Sequence, residues 1–419
     1  MNKLSQHEIM NLLVQLSLLL IMGRFFAEMA RKIKQPAVVG EILAGIILGP
    51  TILGMFHPEW FHGLFPVGNS SIVLDGFVQV AVVMLLFIAG LEVDLHIVLQ
   101  QGRQVFYTST LGLIIPFAFG FIFAYYFPVF FGSVDETRHL AYSLFMGTSM
   151  AITALPVIAR ILMDLNIFKS RMGMLVISSA MVNDLIGWLI FSVVLGMIGK
   201  EQNVSVWNTI LLTTGFTVIM LTLGRGLINR GLPWVNKNLA WPGGVLSLSL
   251  ALCFLAAAFT EYIGIHGVFG AFVVGVALGD SEHMSERAKE IIHQFINNIF
   301  APLFFVAIGL KVNFIDNFDW QLTMVIIIIA FAGKIIGSGW GTRLGGFTWR
   351  ESFAAAFGMN ARGTMEIILG LVALENGLIN EKVFVSLVIM ALVTSMSSGP
   401  LMKWLLRIRT KQSLPSESH

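Results

Sequence analysis

The sequence predicts an all-α polytopic membrane protein of about thirteen transmembrane helices, arranged as an inverted repeat with two broken helices. Three observations predict it: a composition too apolar for a water-facing globule, basic loops that alternate between two sides, and helix breakers at matching places in two triplets of segments. Of 419 residues, 56% are hydrophobic and only 12% charged, whereas soluble chains carry about 25% charge. The mean hydropathy is +0.82. A net charge of +2 from 26 Lys and Arg leaves no basic stripe for a nucleic acid. The single cysteine, Cys253, lies in an apolar run. It excludes an intramolecular disulfide, a zinc cluster or a thiol redox pair, and reads as a small buried hydrophobe.

Crossing a ~30 Å hydrocarbon core takes about 20 mostly apolar residues as a helix, because no water is there to satisfy open backbone. In chain order the predicted segments are 8–30, 36–55, 71–91, 105–127, 139–159, 172–198, 205–224, 243–263, 264–280, 294–313, 321–342, 352–374 and 382–402. The first could mimic a signal sequence, but it carries Arg24 and Glu28 and has no small-x-small cleavage site, so it is expected to be retained. The ninth is short and glycine-rich, and Pro302 interrupts the tenth. Counted alternately, connections on one side hold 18 of the Lys and Arg residues and those on the other hold 5, with Arg24, Lys334 and Arg362 inside segments. By the positive-inside rule Met1 is outside and His419 cytoplasmic, across the inner (plasma) membrane, and the number of crossings is odd. Beyond the last segment a short polar tail, 411–419, is expected, with no nucleotide-binding domain. No G-x-x-x-x-G-K-S/T phosphate loop occurs.

An ionisable side chain at mid-membrane costs about 2.5 kcal/mol or more, which makes each one a functional candidate. Asp184 sits near the centre of the sixth segment with no basic neighbour within a turn, beside Asn183; Lys334 sits mid-way along the eleventh. Arg362 and Glu366, four apart in the twelfth, share a helix face and are expected to pair. Arg24 and Glu28 have the same spacing and the same expectation. Glu41, Glu92 and Asp94 fall at or near segment ends and read as packing or capping groups, and His266 as a loop histidine.

Two segments contain breakers at depth. The fifth, SLFMGTSMAITALPVIAR, has Thr153 and Pro156 in its second half; the twelfth, FAAAFGMNARGTMEII, clusters Gly358, Asn360 and Gly363. Segments 4–6 and 11–13 thus form two triplets with the broken member second, and an offset of seven crossings gives them opposite directions. Broken helices so placed are the mark of an inverted-repeat transporter, where half-helix ends meet an ion at the midplane.

Five stretches carry a family resemblance: PAVVGEILAGIILGP at 36–50, LFIAGLEVDL at 86–95, TALPVIARIL at 153–162, VNDLIGW at 182–188 and NARGTMEIILG at 360–370. Together they resemble monovalent cation:proton antiporter family 2, which includes Kef-type and plant cation/proton exchangers. The resemblance implies the sodium/proton antiporter fold, with scaffold and dimerisation helices at 1–98, core helices at 99–200, a linker helix and further scaffold helices at 201–315, and core helices at 316–410. It implies a homodimer in the lipid bilayer, no enzymatic activity, and no cofactor beyond the transported Na+, K+ or Li+ and H+. It also implies that Asp184 is the ion-binding carboxylate, that Thr153 and Asn183 flank the ion, and that Lys334 compensates charge. Pro156, Asn360, Arg362 and Glu366 then support the broken helices. Two departures stand out: Asn183 occupies a position where charge-moving relatives have a second aspartate, and the nucleotide-binding domain of gated members is missing.

One buried carboxylate suffices for exchange, because a proton and a monovalent cation compete for its charge and an empty ionised site is costly to carry across. With Asn183 beside Asp184 the expected stoichiometry is one for one, hence electroneutral, unless Lys334 itself releases a proton when the cation binds. The rivals are a symporter on the same fold, a gated channel, for which repeated polar rings are lacking, and an aspartyl hydrolase pairing Asp184 with Asp280.

Overall fold

The computed structural model describes residues 5–33, 35–66, 68–93, 102–132, 138–165, 167–168, 170–198 and 206–406. The expectations placed on Lys3, Lys34, Asp94, Lys169, Lys200 and the segment from Arg407 to His419 lie outside them. Every regular element among the described residues is helical. In chain order these are α1 (Gln6–Lys32), α2 (Ala37–Leu48), α3 (Asn69–Leu91), α4 (Gly102–Tyr126), α5 (His139–Ala151), α6 (Leu155–Asp164), α7 (Arg171–Ile198) and α8 (Val206–Ile219). There follow α9 (Arg225–Asn238), α10 (Gly243–Tyr262), α11 (Gly267–Gly279), α12 (Glu286–Lys311), α13 (Trp320–Leu344), α14 (Trp349–Met359), α15 (Thr364–Glu375) and α16 (Glu381–Leu406). Two short helices, Leu53–Phe56 and Pro58–Leu64, lie between α2 and α3. Among the described residues ten spans are long and apolar enough to cross a membrane, and α11 is a shorter apolar helix.

Most predicted segments coincide with helices to within a few residues, and the differences have local causes. The fifth segment is two helices, α5 and α6; the twelfth is likewise α14 and α15. The seventh does not stop near residue 224, because a π-helical turn at Met220–Gly224 carries α8 straight into α9. Nor does the tenth start at 294. Ser285 accepts a hydrogen bond from the Ala288 N–H and so caps α12 a good two turns earlier, and the helix runs on through Pro302.

The helices pack in two groups. One comprises α1, α2, α3, α10, α11 and α12; the other comprises α4–α7 and α13–α16. The α8–α9 rod touches α7 on one side and α10 and α11 on the other, so it links them. Within the first group backbones meet directly. A Cβ on Gly45 of α2 would lie 2.2 Å from the Val306 carbonyl oxygen of α12, and one on Gly90 of α3 would lie 2.1 Å from the Phe272 oxygen of α11. Small residues at such crossings are what association in lipid favours, since close backbone approach supplies the dispersion contacts. Large apolar side chains such as Leu13, Leu211, Trp207 and Leu255 are exposed on the outside, as a lipid-facing surface requires.

Candidate functional site

The second group is built around two helix breaks that cross. α5 ends at Ala151 and α6 begins at Leu155, with Ile152 and Ala154 extended between them. Pro156 falls in the first turn of α6, where its missing N–H would have had no helical partner. The second break, between α14 and α15, spans Asn360 to Gly363. Ala154 donates its N–H to the Ala361 carbonyl at 2.9 Å, and the Thr153 hydroxyl donates to the Met359 carbonyl at 3.0 Å. A Cβ on Gly363 would sit 2.9 Å from Val157 Cγ2, so the crossing leaves no room for a side chain there.

Each break exposes a helix end of fixed polarity: free carbonyls and partial negative charge at a C-terminus, free N–H groups and partial positive charge at an N-terminus. The carbonyls ending α5 are taken by two cations. Arg362 donates through Nη1 to Ser149 O and through Nη2 to Met150 O at 2.6 Å, and Lys334 donates through Nζ to Ala151 O. Lys334 is fully buried. Its other acceptors are Thr153 Oγ1 at 2.6 Å and the Gly112 carbonyl of α4 at 3.0 Å. With its amide nitrogen turned to the Ser109 carbonyl at 3.0 Å, Asn183 presents its oxygen to Lys334 Nζ at 3.3 Å, the orientation that satisfies both groups. These four acceptors exceed the three N–H groups of an ammonium, and the Asn183 oxygen at 3.3 Å is the longest of the contacts.

The Gly112 carbonyl is available for a reason written in α4. Pro116, four residues on and inside the helix, has no N–H to offer it. A Cβ on Gly333, one residue before Lys334, would lie 2.7 Å from Pro116 Cα, so α13 seats directly on the proline. Neither Pro116 nor Gly112 was among the residues singled out from sequence. The signal that would have found them is an intramembrane proline whose freed carbonyl lies one turn back.

Asp184, 1% exposed on α7, lies at the opposite kind of end. Its carboxylate interacts with the backbone N–H groups of Thr153 and Leu155, where α6 starts. Its Oδ1 is buried and has no hydrogen-bond partner. Asn183 and Asp184, adjacent in sequence, therefore serve different groups, because successive residues on a helix point about 100° apart. Glu366, in the first turn of α15, is paired with Arg362 at 3.3 Å. Both amide atoms of fully buried Asn360 lack partners, and the Ser395 hydroxyl of α16 donates to the Arg362 carbonyl.

The remaining singled-out charges lie elsewhere. Arg24 and Glu28 pair at 2.9 Å. Glu92 Oε1 lies 2.9 Å from His293 Nε2. Glu41 is buried in α2. Asp280 is committed to Arg225 at 2.9 Å, at the end of α11, and forms no dyad with Asp184. His266 caps α11, its Nδ1 accepting from the Val268 N–H at 3.4 Å. Among the described residues no cluster of three or more His, Cys, Asp and Glu could hold a metal ion. What the site offers is a carboxylate with one free oxygen, able to take a proton or a monovalent cation.

The sequence matches the family described as "Sodium/hydrogen exchanger, transmembrane" over residues 16–408. It is 30% identical over 407 residues to Cation/H(+) antiporter 20 of Arabidopsis thaliana, a match covering 93% of this chain and 48% of that protein. It is 29% identical over 394 residues to the Na(+)/H(+) antiporter NhaS4 of Synechocystis sp., covering 93% and 95%. The chain thus spans about half the length of the plant relative and nearly all of the cyanobacterial one. The sodium proton antiporter MjNhaP1 from Methanocaldococcus jannaschii shares the fold, with a TM-score of 0.67 at 17% identity, over 96% of this chain and 99% of that one.

Proposed function

Since the chain belongs to the sodium/hydrogen exchanger family, we propose that it exchanges a monovalent cation, Na+, K+ or Li+, for protons by alternating access at Asp184. The carrying observation is the contrast between two buried charges. Lys334 has its ammonium occupied by neutral acceptors, whereas Asp184 Oδ1 has no partner. A proton or a cation on that oxygen neutralises the carboxylate, and an empty ionised site would be expensive to carry between the two faces of the membrane. The second group of helices carries the site, and the first, with α8–α9 as link, is the scaffold, assembled as a homodimer. The chain crosses the plasma membrane thirteen times in this reading, with Met1 outside and His419 cytoplasmic, an orientation that the charge asymmetry of the loops supports.

Thr153 and Asn183 serve the ion through Lys334. They fix its Nζ against Gly112, Ala151 and Thr153; with that group exchanging no proton of its own, one proton is exchanged for one cation. Arg362, Glu366, Asn360 and Pro156 maintain the crossing. A pH-sensitive dye in everted vesicles tests the reading. Addition of Na+, K+ or Li+ should dissipate an acid interior, and Asp184→Asn should abolish the response; a cation that deepens the acid interior would instead indicate symport.

A further inference from the structure

The last residue of the VNDLIGW stretch has no part in the exchange chemistry above, yet it carries an unexplained polar atom. Asp184, Trp188 and Ser192 follow one another at four-residue spacing, so they form one stripe along α7. All three are at most 2% exposed. Asp184 Oδ1, Trp188 Nε1 and Ser192 Oγ all lack hydrogen-bond partners. A buried indole N–H ordinarily finds an acceptor, and a serine within a helix ordinarily bonds back to its own backbone. Three successive orphans on one stripe leading away from the carboxylate are therefore a pattern to be explained.

The stripe runs along the seam between the two helix groups. The Trp188 ring lies 6.0 Å from Phe272 of α11, in the first group, and 5.6 Å edge-on from Phe191 of its own helix. α7 ends on the membrane face where α5 begins, because the two run antiparallel through the bundle. On that face Lys311 of α12 bridges Glu375 of α15 at 2.7 Å and Asp75 of α3 at 3.0 Å, and Gln79 of α3 donates to Glu375 at 2.8 Å. Through Glu375 these contacts tie the second group to the first on that face.

We propose that Trp188 is the gate on the cation's path between Asp184 and the membrane face at which α7 ends. Its ring seals the seam against Phe272 in the closed state. In the open state its N–H and the Ser192 hydroxyl are bonded to water that follows the cation. No protein group bonds these polar atoms, which leaves both able to bond water along such a path. This rests on Asp184 being the exchanging carboxylate.

The test uses the full chain in proteoliposomes, with Cys253→Ser as background and Ser192→Cys as the probe, exposed to a membrane-impermeant thiol reagent from either side. Labelling is expected only from the face where α7 ends. Trp188→Ala should accelerate it about tenfold, a change of 1.4 kcal/mol in the opening equilibrium. Trp188→Phe keeps the seal and loses the N–H. It should leave labelling near the parent rate while slowing exchange about fivefold, the worth of one hydrogen bond made only in the open state; it also covers the case in which the alanine variant fails to fold. Labelling from the opposite face, labelling unchanged in Trp188→Ala, or undiminished exchange in Trp188→Phe would overturn the proposal. The labelling needs no transport, so it stays interpretable should Asp184→Asn retain exchange, which would defeat the reading of Asp184 alone.

Discussion

The Ala154 N–H donates to the Ala361 carbonyl at 2.9 Å, so the two helix breaks are one hydrogen-bonded crossing. Gly363 stands where the chains are closest, with a Cβ placed 2.9 Å from Val157 Cγ2. Gly363→Val is therefore expected to force the breaks apart, at a cost of about 1–3 kcal/mol from overpacking. A lowered unfolding temperature in detergent together with lost exchange is the expected result; unchanged values of both would mean that the crossing is not needed.

Asp184→Asn preserves shape and removes the charge. We expect cation-driven proton movement to fall to the protein-free background while yield and elution volume are unchanged, because an amide cannot exchange a proton for a cation. Exchange near the parent rate would transfer the role to Glu366 or another acid.

Pro116→Ala is predicted to separate stability from activity. The alanine supplies the N–H that Gly112 lacks within α4, so the helix gains a bond while Lys334 loses an acceptor now at 3.0 Å. The unfolding temperature should hold or rise, and exchange should slow about fivefold, as one hydrogen bond of about 1 kcal/mol implies. Stability and rate falling together would argue for a purely structural proline.

Stoichiometry follows from the acceptors around Lys334. With Lys334 Nζ held by Gly112, Ala151 and Thr153, we expect one proton to be replaced by one cation with no net charge moved. In proteoliposomes with ion gradients balanced at one for one, an imposed potential of about 100 mV, worth roughly 2.3 kcal/mol per transferred charge, should drive no cation flux. Flux that reverses with the sign of the potential would identify Lys334 as a second proton carrier.

His266 gives a pH dependence of stability rather than of exchange. In the turn before α11, burial lowers its pKa below the ordinary 6.5, with Glu261 opposing, and the neutral ring accepts the Val268 N–H. The unfolded chain binds the proton more readily, so this stabilisation is present above about pH 6.5 and is lost as pH falls through the lower folded value. His266→Asn keeps an acceptor at the cap and should flatten the unfolding temperature in that window; an unaltered slope would place the pH dependence elsewhere.

The sequence was most legible where membrane physics leaves few choices. Apolar runs became helices, and Thr153, Pro156, Asn360 and Gly363 marked breaks that the structure contains. Arg362 with Glu366 and Arg24 with Glu28 could be paired from spacing alone, since helix faces are local geometry. Relations between helices were not legible. That Asn183 turns to Lys334 while Asp184 turns to α6 depends on which neighbours flank α7. The link from Pro116 to Lys334 depends on α13 seating against α4, and the continuation of α8 into α9 on a π turn that has no simple residue signature.

The glycine crossings at Gly45 and Gly90 have a consequence for the surrounding lipid. Helices pinned backbone to backbone cannot retilt to suit a thinner or thicker bilayer, so α2, α3 and α12, packed on the buried α11, present a fixed hydrophobic height. Mismatch, at a fraction of a kcal/mol per ångström, must then fall on the acyl chains or on the height at which the other helix group rides beside this one. Turnover is therefore expected to vary with acyl-chain length even where no headgroup is recognised.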